Sequence, residues 1–283
     1  MNERHHSFQT PSPTRLRVEI PNGQIVVTAA ETATTDVDLS APHGDAGALA
    51  WVADAEIAQI GGEIVVRGPK VSLSLFRSWG PIEARIRVPL GSDAHLSMGA
   101  GGIETHGKLG KLTANTGAGA VRLDDCDEAR AHTGAGNVEI GAVTGSVDTK
   151  TGAGKVTVGS IGANAHIVTA AGNAKVGDIT GSAKFTTAHG NIEVASAGDS
   201  LEAFTASGNV DVRRADHGRV RAKTVSGWVS VGVPNGVSAL LDISTLSGRV
   251  HSDLAATGEP GAGEAHVELI LSTVSGNVNV ARA

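Results

Sequence analysis

Ten glycines punctuate the chain from residue 101 to residue 276 at a nearly fixed interval, and that period constrains the fold more than any other feature. Gly101, Gly119, Gly136, Gly154, Gly172, Gly190 and Gly208 are separated by 18, 17, 18, 18, 18 and 18 residues. Gly227, Gly248 and Gly276 follow at spacings of 19, 21 and 28, as loop insertion would produce. Three positions before these glycines stand Thr116, Thr133, Thr151, Thr169, Thr187, Thr205, Thr224, Thr245 and Thr273, with Met98 in the first copy. Two and four positions after them come apolar pairs such as Val138 and Ile140, Val156 and Val158, and Val210 and Val212. The residues between them, including Asn137, Glu139, Lys155, Lys175, Glu193 and Asp211, are mostly polar. Such alternation describes a strand with one face buried and one wet.

A second strand precedes each glycine, carried by Val147 and Thr149, Ala165 and Ile167, Ala183 and Phe185, Leu201 and Ala203, and Val220 and Ala222. Two short strands cannot form a core alone, so each copy must bury its apolar face against the copies above and below. The period therefore predicts an all-β fold: a β-solenoid, like a single-stranded β-helix, of about ten 18-residue coils. Coils stacked at about 4.8 Å would extend on the order of 50 Å. Composition agrees with a narrow interior, because the chain has four Phe, three Trp and no Tyr against 38 Gly. The TGAG of residues 151–154 is accordingly a corner and not a phosphate loop. It repeats, and it runs into a strand instead of a helix N-terminus. Its Thr is expected to lie in a ladder along the corner, bonded to backbone or to neighbouring coils.

Residues 15–90 do not share the period. RLRVEI, GQIVVTA, TDVDLSA, AWVADAEIAQI, EIVVRG and ARIRVPL read as successive strands, with turns at Asn22-Gly23 and Gly61-Gly62. The expected organisation is a disordered tail over 1–14, a β-rich N-terminal cap or half-domain over 15–90, and the solenoid over 91–283. Phe76 and Trp79, in VSLSLFRSWGP, are expected to pack over the solenoid mouth, with a partner-binding or membrane-touching loop as the alternative.

The run RVPLGSDAHLSMGAGGIETHGKLGKLTANTGAGAVRL, followed by TASGNVDV, TVSGWVSV, VPNGVSALLDISTLSGRVHSDL and LSTVSGNVNV, resembles the bacterial putative-adhesin family of β-strand-repeat proteins of unknown function, especially its actinobacterial type. The likeness extends from about residue 15 over nearly all of the chain. It implies a β-solenoid without established enzymatic activity, and it supplies no catalytic residue to carry over. A surface adhesin would need a secretory signal, and MNERHHSFQTPSPTRL lacks the apolar stretch of one.

Several kinds of chemistry are disfavoured. The net charge of −6 with mixed signs gives no basic stripe for nucleic acid. No segment is apolar enough to span a bilayer as a helix, and a cytoplasmic location is expected. The outward column Arg122, Glu139, Thr157, Lys175, Glu193, Asp211, Ser230, His251, Asn279 alternates in charge instead of clustering carboxylates. DDCDE, Asp124 to Glu128, reads as a charged turn and not a calcium loop. His132, His166 and His189 fall at different places in their repeats, so no metal is assigned. Cys126 reads as a small residue in an acidic turn. No cofactor or catalytic residue is expected.

The reading is a non-enzymatic, adhesin-like scaffold or binding protein with a protein or cell-envelope partner, associating with itself through its coil ends. The final coil, TVSGNVNVARA, is expected to offer the open edge. The alternative is a β-helix enzyme acting on polysaccharide, which would require Asp124, Asp125 and a neighbour such as Glu139 to gather in a groove. One further column grows in size toward the C-terminus: Gly117, Gly134, Gly152, then Ala170, Ala188, Ala206, then Val225, Leu246, Val274. Val225, Leu246 and Val274, with Trp228 nearby, form either an apolar contact ridge or the lining of a widening coil that buries them.

Overall fold

The computed structural model describes residues 3–68, 80–254 and 266–283. Phe76 and Trp79 lie outside the described residues. The chain divides into two compact units, Met1–Ala142 and Val143–Ala283.

In the first unit, β1 (Glu3–Gln9), β2 (Arg15–Ala30) and β3 (Thr34–Ser40) precede the helix α1 (Ala46–Asp54). There follow β4 (Glu56–Ile60), β5 (Glu63–Arg67), β6 (Ile82–Pro89), β7 (Asp93–His106), β8 (Leu109–Ala118), β9 (Val121–Leu123), β10 (Cys126–Ala135) and β11 (Val138–Val143). The long strands β2 and β7 each cross a corner and contribute to both faces of a coil, and they share a parallel ladder of thirteen partners. That ladder joins residues on either side of position 90, so the compact division falls at Ala142 and not there. The first half of β2 also pairs with β5 and the second half with β6, both parallel. The β2 coil thus lies between a coil that follows it in sequence and another that follows later still.

Beyond β6 the pairing turns antiparallel, to β3 and then from β3 to β1. The expectation of a disordered tail over 1–14 is therefore corrected. Val37 and Leu39 of β3 bury their inward faces, and β1 adds to its free edge. Arg4 Nη1 also donates to the carbonyls of Val52, Ala53 and Ala55, at 3.0, 2.9 and 2.7 Å, which satisfies the end of α1. The helix itself corrects the all-strand reading of AWVADAEIAQI. Asp45 Oδ1 accepts the Ala48 N–H at 3.0 Å as an N-cap, and a run of Ala and Leu favours helix behind it. Ala48, Trp51 and Val52 are its buried residues.

The second unit is built from coils of two strands. One face carries β12 (Val147–Ala153), β14 (Ala165–Ala171), β16 (Ser182–His189), β18 (Ser200–Ser207), β20 (Gly218–Ser226), β22 (Ser238–Ser247) and β24 (His266–Ser275). The other carries β13 (Val156–Ile161), β15 (Ala174–Ile179), β17 (Ile192–Ala197), β19 (Val210–Ala215), β21 (Val229–Val233), β23 (Val250–Ser252) and β25 (Val278–Arg282). Neighbouring coils pair parallel and in the register of the repeat, with Thr151 opposite Thr169, Thr169 opposite Thr187 and Thr187 opposite Thr205. Outside the coil of β22 and β23, the apolar positions read from the alternation are buried, including Val156, Val158, Ile167, Phe185, Val210 and Val212. This is the all-β, solenoid-like repeat fold that the period predicts.

The corners are made by glycine for steric reasons. Gly208 has φ +149, and a Cβ there would collide with the carbonyl oxygen of Gly190 in the preceding coil. Gly248 lacks the positive φ of the other marker glycines, yet a Cβ on it would collide with Gly276 O.

Coil order departs from sequence order at one end. β20 pairs with β24, and β24 pairs in turn with β22. The other face repeats the exchange through β21, β25 and β23. The C-terminal coil is therefore covered on both sides, which corrects the expectation that it offers the open edge. The physical reason lies in the inward residues. Val267, Leu269 and Leu271 of β24 are almost wholly buried, and their opposites in β22 are Ala239, Leu241 and Ile243. The strand with more inward apolar bulk takes the position where both its sides are covered.

Candidate functional site

The coil exchange brings together residues that are distant in the chain. Because Thr224 faces Thr273 and Thr273 faces Thr245, the corner residues Val225, Val274 and Leu246 follow one another along a single edge. All three are exposed, Leu246 at 83 %, and Trp228 is exposed across the same corner. The widening cross-section that would bury them does not form. Their side chains point out because the threonine beside each one takes the inward position, as Thr224 and Thr273 do.

The edge runs into an open coil end. Among the described residues β22 pairs with β24 alone, and β23 with β25 alone. Leu241 and Val250 lie in register with the fully buried Leu269 and Val278, so they point inward, yet both are exposed, Val250 at 49 %. Leu240 stands on the outer face at 59 %. An apolar ridge and an uncovered core cross-section thus meet at Leu246, a combination rare on a surface with no partner.

The threonine column forms a ladder to the corner carbonyls. Thr205 Oγ1 donates to Gly190 O at 3.0 Å, Thr224 to Gly208 O at 2.9 Å and Thr273 to Gly227 O at 3.0 Å. Thr245 completes the same bond to Gly276 O at 3.0 Å. Thr116, Thr133 and Thr187 reach Gly101, Gly119 and Gly172 at 3.5, 3.2 and 3.4 Å. A second ladder escaped the sequence reading. Asn173, Asn191 and Asn209 each accept, through Oδ1, the backbone N–H of the residue in the next coil, at 2.8, 2.9 and 3.0 Å. Its signal was the Asn that follows the marker glycine in several copies.

The acidic turn does not gather into a groove. Asp124 accepts the Gly107 N–H at 2.9 Å and Asp125 the Ala142 N–H of β11 at 2.9 Å, so the two carboxylates hold different segments. Asp127 pairs with Lys108, Glu128 with Lys111 and Glu139 with Arg122. Burial first, then the carboxylates of Asp127 and Asp125, push the Cys126 thiol up to about 12, which leaves no thiolate nucleophile near neutral pH. His132 stands opposite Asn115, His166 opposite Asp148 and Lys184, and His189 opposite Ala171 and Ser207, so the three are not brought together. One carboxylate pair does meet: Glu193 faces Asp211 in the adjacent coil. Partial burial, opposed by Arg213 and reinforced by the Glu193 charge, raises the Asp211 carboxyl above its ordinary value.

Solved structures with a similar course of chain include a putative adhesin of Bacteroides fragilis, 13% identical over 99% of this chain and 97% of that one, with a TM-score of 0.40. A putative lipid binding protein of Parabacteroides distasonis is 11% identical over 99% and 96% of the two chains, with a TM-score of 0.34. A putative cell adhesion protein of Clostridium sporogenes is 12% identical over 99% and 100%, with a TM-score of 0.24. No curated protein matches. The sequence model of the Toastrack DUF4097 family matches residues 14–281, nearly the whole chain that builds the coils and corners described above. This chain belongs to the Toastrack DUF4097 family.

Proposed function

We propose that the chain is a non-enzymatic, adhesin-like β-solenoid scaffold that binds protein through the apolar corner and open coil end of its second unit, and associates with itself there. The observation that carries this reading is the unbroken run of Val225, Val274 and Leu246 into the uncovered coil of β22 and β23. Large apolar side chains and an exposed Trp, grouped and rimmed by polar residues, are what a protein interface needs at its centre. Light scattering coupled to size-exclusion chromatography over a concentration series tests it. The full chain is expected to associate as concentration rises, and Leu246→Asp is expected to abolish association with an unchanged circular dichroism spectrum. A strict monomer at every concentration removes the self-association and leaves an external partner as the occupant.

The Glu193 and Asp211 pair favours a second reading, hydrolysis of a polysaccharide laid along the outer face, because two carboxylates in neighbouring coils and one raised pKa suit an acid and its partner. Against it, Lys175 lies 3.9 Å from Glu193, Arg213 lies 4.0 Å from Asp211, and the pair sits on a sheet face. Release of reducing ends from a polysaccharide panel, lost in Asp211→Asn, would establish the enzyme. The scaffold reading expects none.

A further inference from the structure

Resting on the self-association proposed above, we infer that β22 is the strand to which a second copy of this chain adds, antiparallel, about a twofold axis through Ile243. The free edge of β22 carries the backbone groups that continue the ladder. In this unit the inward residue that opens a strand sends its N–H to the next coil, as Val147 does to Asn164 O at 2.9 Å and Val278 to Arg249 O at 2.9 Å. By the same alternation Ala239, Leu241, Ile243 and Thr245 aim their N–H and C=O groups at the open edge. Edge strands are ordinarily blunted by Lys, Pro, a bulge or a covering element. β22, SALLDISTLS, has no Lys and no Pro, and its single charge is Asp242. In the first unit the outer strand β6 is instead covered by β3 and β1.

The order of residues in β22 selects the occupant. With the twofold at Ile243, that residue faces its own copy, Leu241 meets Thr245, Asp242 meets Ser244, and Leu240 meets Leu246. Every inward residue then opposes an inward one, and the most exposed apolar side chains of the strand cover each other. A twofold at Asp242 would oppose two carboxylates. Placed at Ser244, it would set Asp242 against Leu246, and placed at Leu241 it would set Leu240 against Asp242. The Ile243 register alone of these four pairs Leu240 with Leu246 and keeps the charge off a like charge and off leucine. A strand whose unmet residues supply one another's partners across a twofold fits a second copy of itself, an isologous interface. The same addition shields the exposed inward Leu241.

Cysteine cross-linking of the full chain tests the register, since the native Cys126 is buried and does not compete. Opposed residues of an antiparallel pair lie about 4.5–5.5 Å apart at Cα, within disulfide reach. Under mild oxidation Ile243→Cys is expected to form a covalent dimer with itself. Leu240→Cys and Leu246→Cys are each expected to give little, and their equimolar mixture about tenfold more. Asp242→Lys, an outward substitution that plants a charge on the edge, is expected to weaken association by about tenfold or more, with an unchanged circular dichroism spectrum. Dimers that persist while Leu246→Cys cross-links to itself overturn the register but leave the self-association standing. A strict monomer overturns both. A monomer whose β22 amides resist hydrogen exchange would place another part of the same chain on this edge, and overturns the inference as well.

Discussion

Thr224 stands directly opposite Thr273, not opposite Thr245, although Thr245 is the next threonine of its column in the sequence. The last coil of the chain is threaded between two coils that precede it. Everything apolar about the open end follows from this, because the coil left outermost is one whose inward strand carries Ala239 and whose corner carries Leu246.

The threading is open to a direct chemical test. A Val225→Cys, Val274→Cys double variant is expected to close an internal disulfide, since the two positions are neighbours across a parallel ladder. Val225→Cys with Leu246→Cys has a whole coil between the two sulfurs and is expected to stay reduced. The reverse pattern, read by thiol counting and mass spectrometry, would restore sequence order to the coils.

Gly208→Ala is expected to destabilise by about 3 kcal/mol, because the new Cβ meets Gly190 O in a backbone conformation that side chains avoid. Gly44→Ala is the matched control. Its φ is +65, with nothing among the described residues within 4 Å of the added carbon, so the expected cost is about 1 kcal/mol. Urea unfolding of both variants separates a crowded corner from a merely left-handed turn.

The threonine column is not uniform in what its hydroxyls do. Thr205 donates to Gly190 O, so Thr205→Val is expected to cost about 1 kcal/mol. Thr169 of the column, and Thr149 two residues before its Thr151, are buried with Oγ1 atoms that have no hydrogen-bond partner among the described residues. Thr169→Val and Thr149→Val are each expected to be neutral or stabilising by up to about 1 kcal/mol, since the substitution removes an unsatisfied polar atom. Equal losses in all three, measured by thermal and urea unfolding, would contradict the bonding described here.

β1 is expected to hold more tightly in mild acid. His5 bonds to Asp38 at 2.6 Å, and that bond and the carboxylate charge raise the imidazole pKa above 6.5. A raised histidine contributes its stabilisation fully below the unfolded pKa and loses it as pH rises through the folded one. Hydrogen-exchange protection of residues 3–9, corrected for intrinsic rates, is therefore expected to be higher near pH 5.5 than near pH 8. His5→Gln should remove the difference.

The sequence by itself determined the coil. An 18-residue period with glycine at a fixed place, threonine three residues earlier and apolar pairs after it has few other solutions, because each strand can bury its inward face only against a copy of itself. The N-terminal segment was less legible. There the helix turned on Asp45 and a few alanines within a stretch that also alternates, and the pairing of β1 depends on β3, more than twenty residues away. Only the tertiary structure decided which coil lies outermost. The coils of Thr224, Thr245 and Thr273 offer the same ladder of backbone donors and acceptors and the same threonine register, so hydrogen bonding does not distinguish one neighbour from another. The choice falls to the differential burial of inward side chains, a comparison between whole coils that no local pattern records. Placing Val267, Leu269 and Leu271 inside left Leu241, Leu246 and Val250 at the surface.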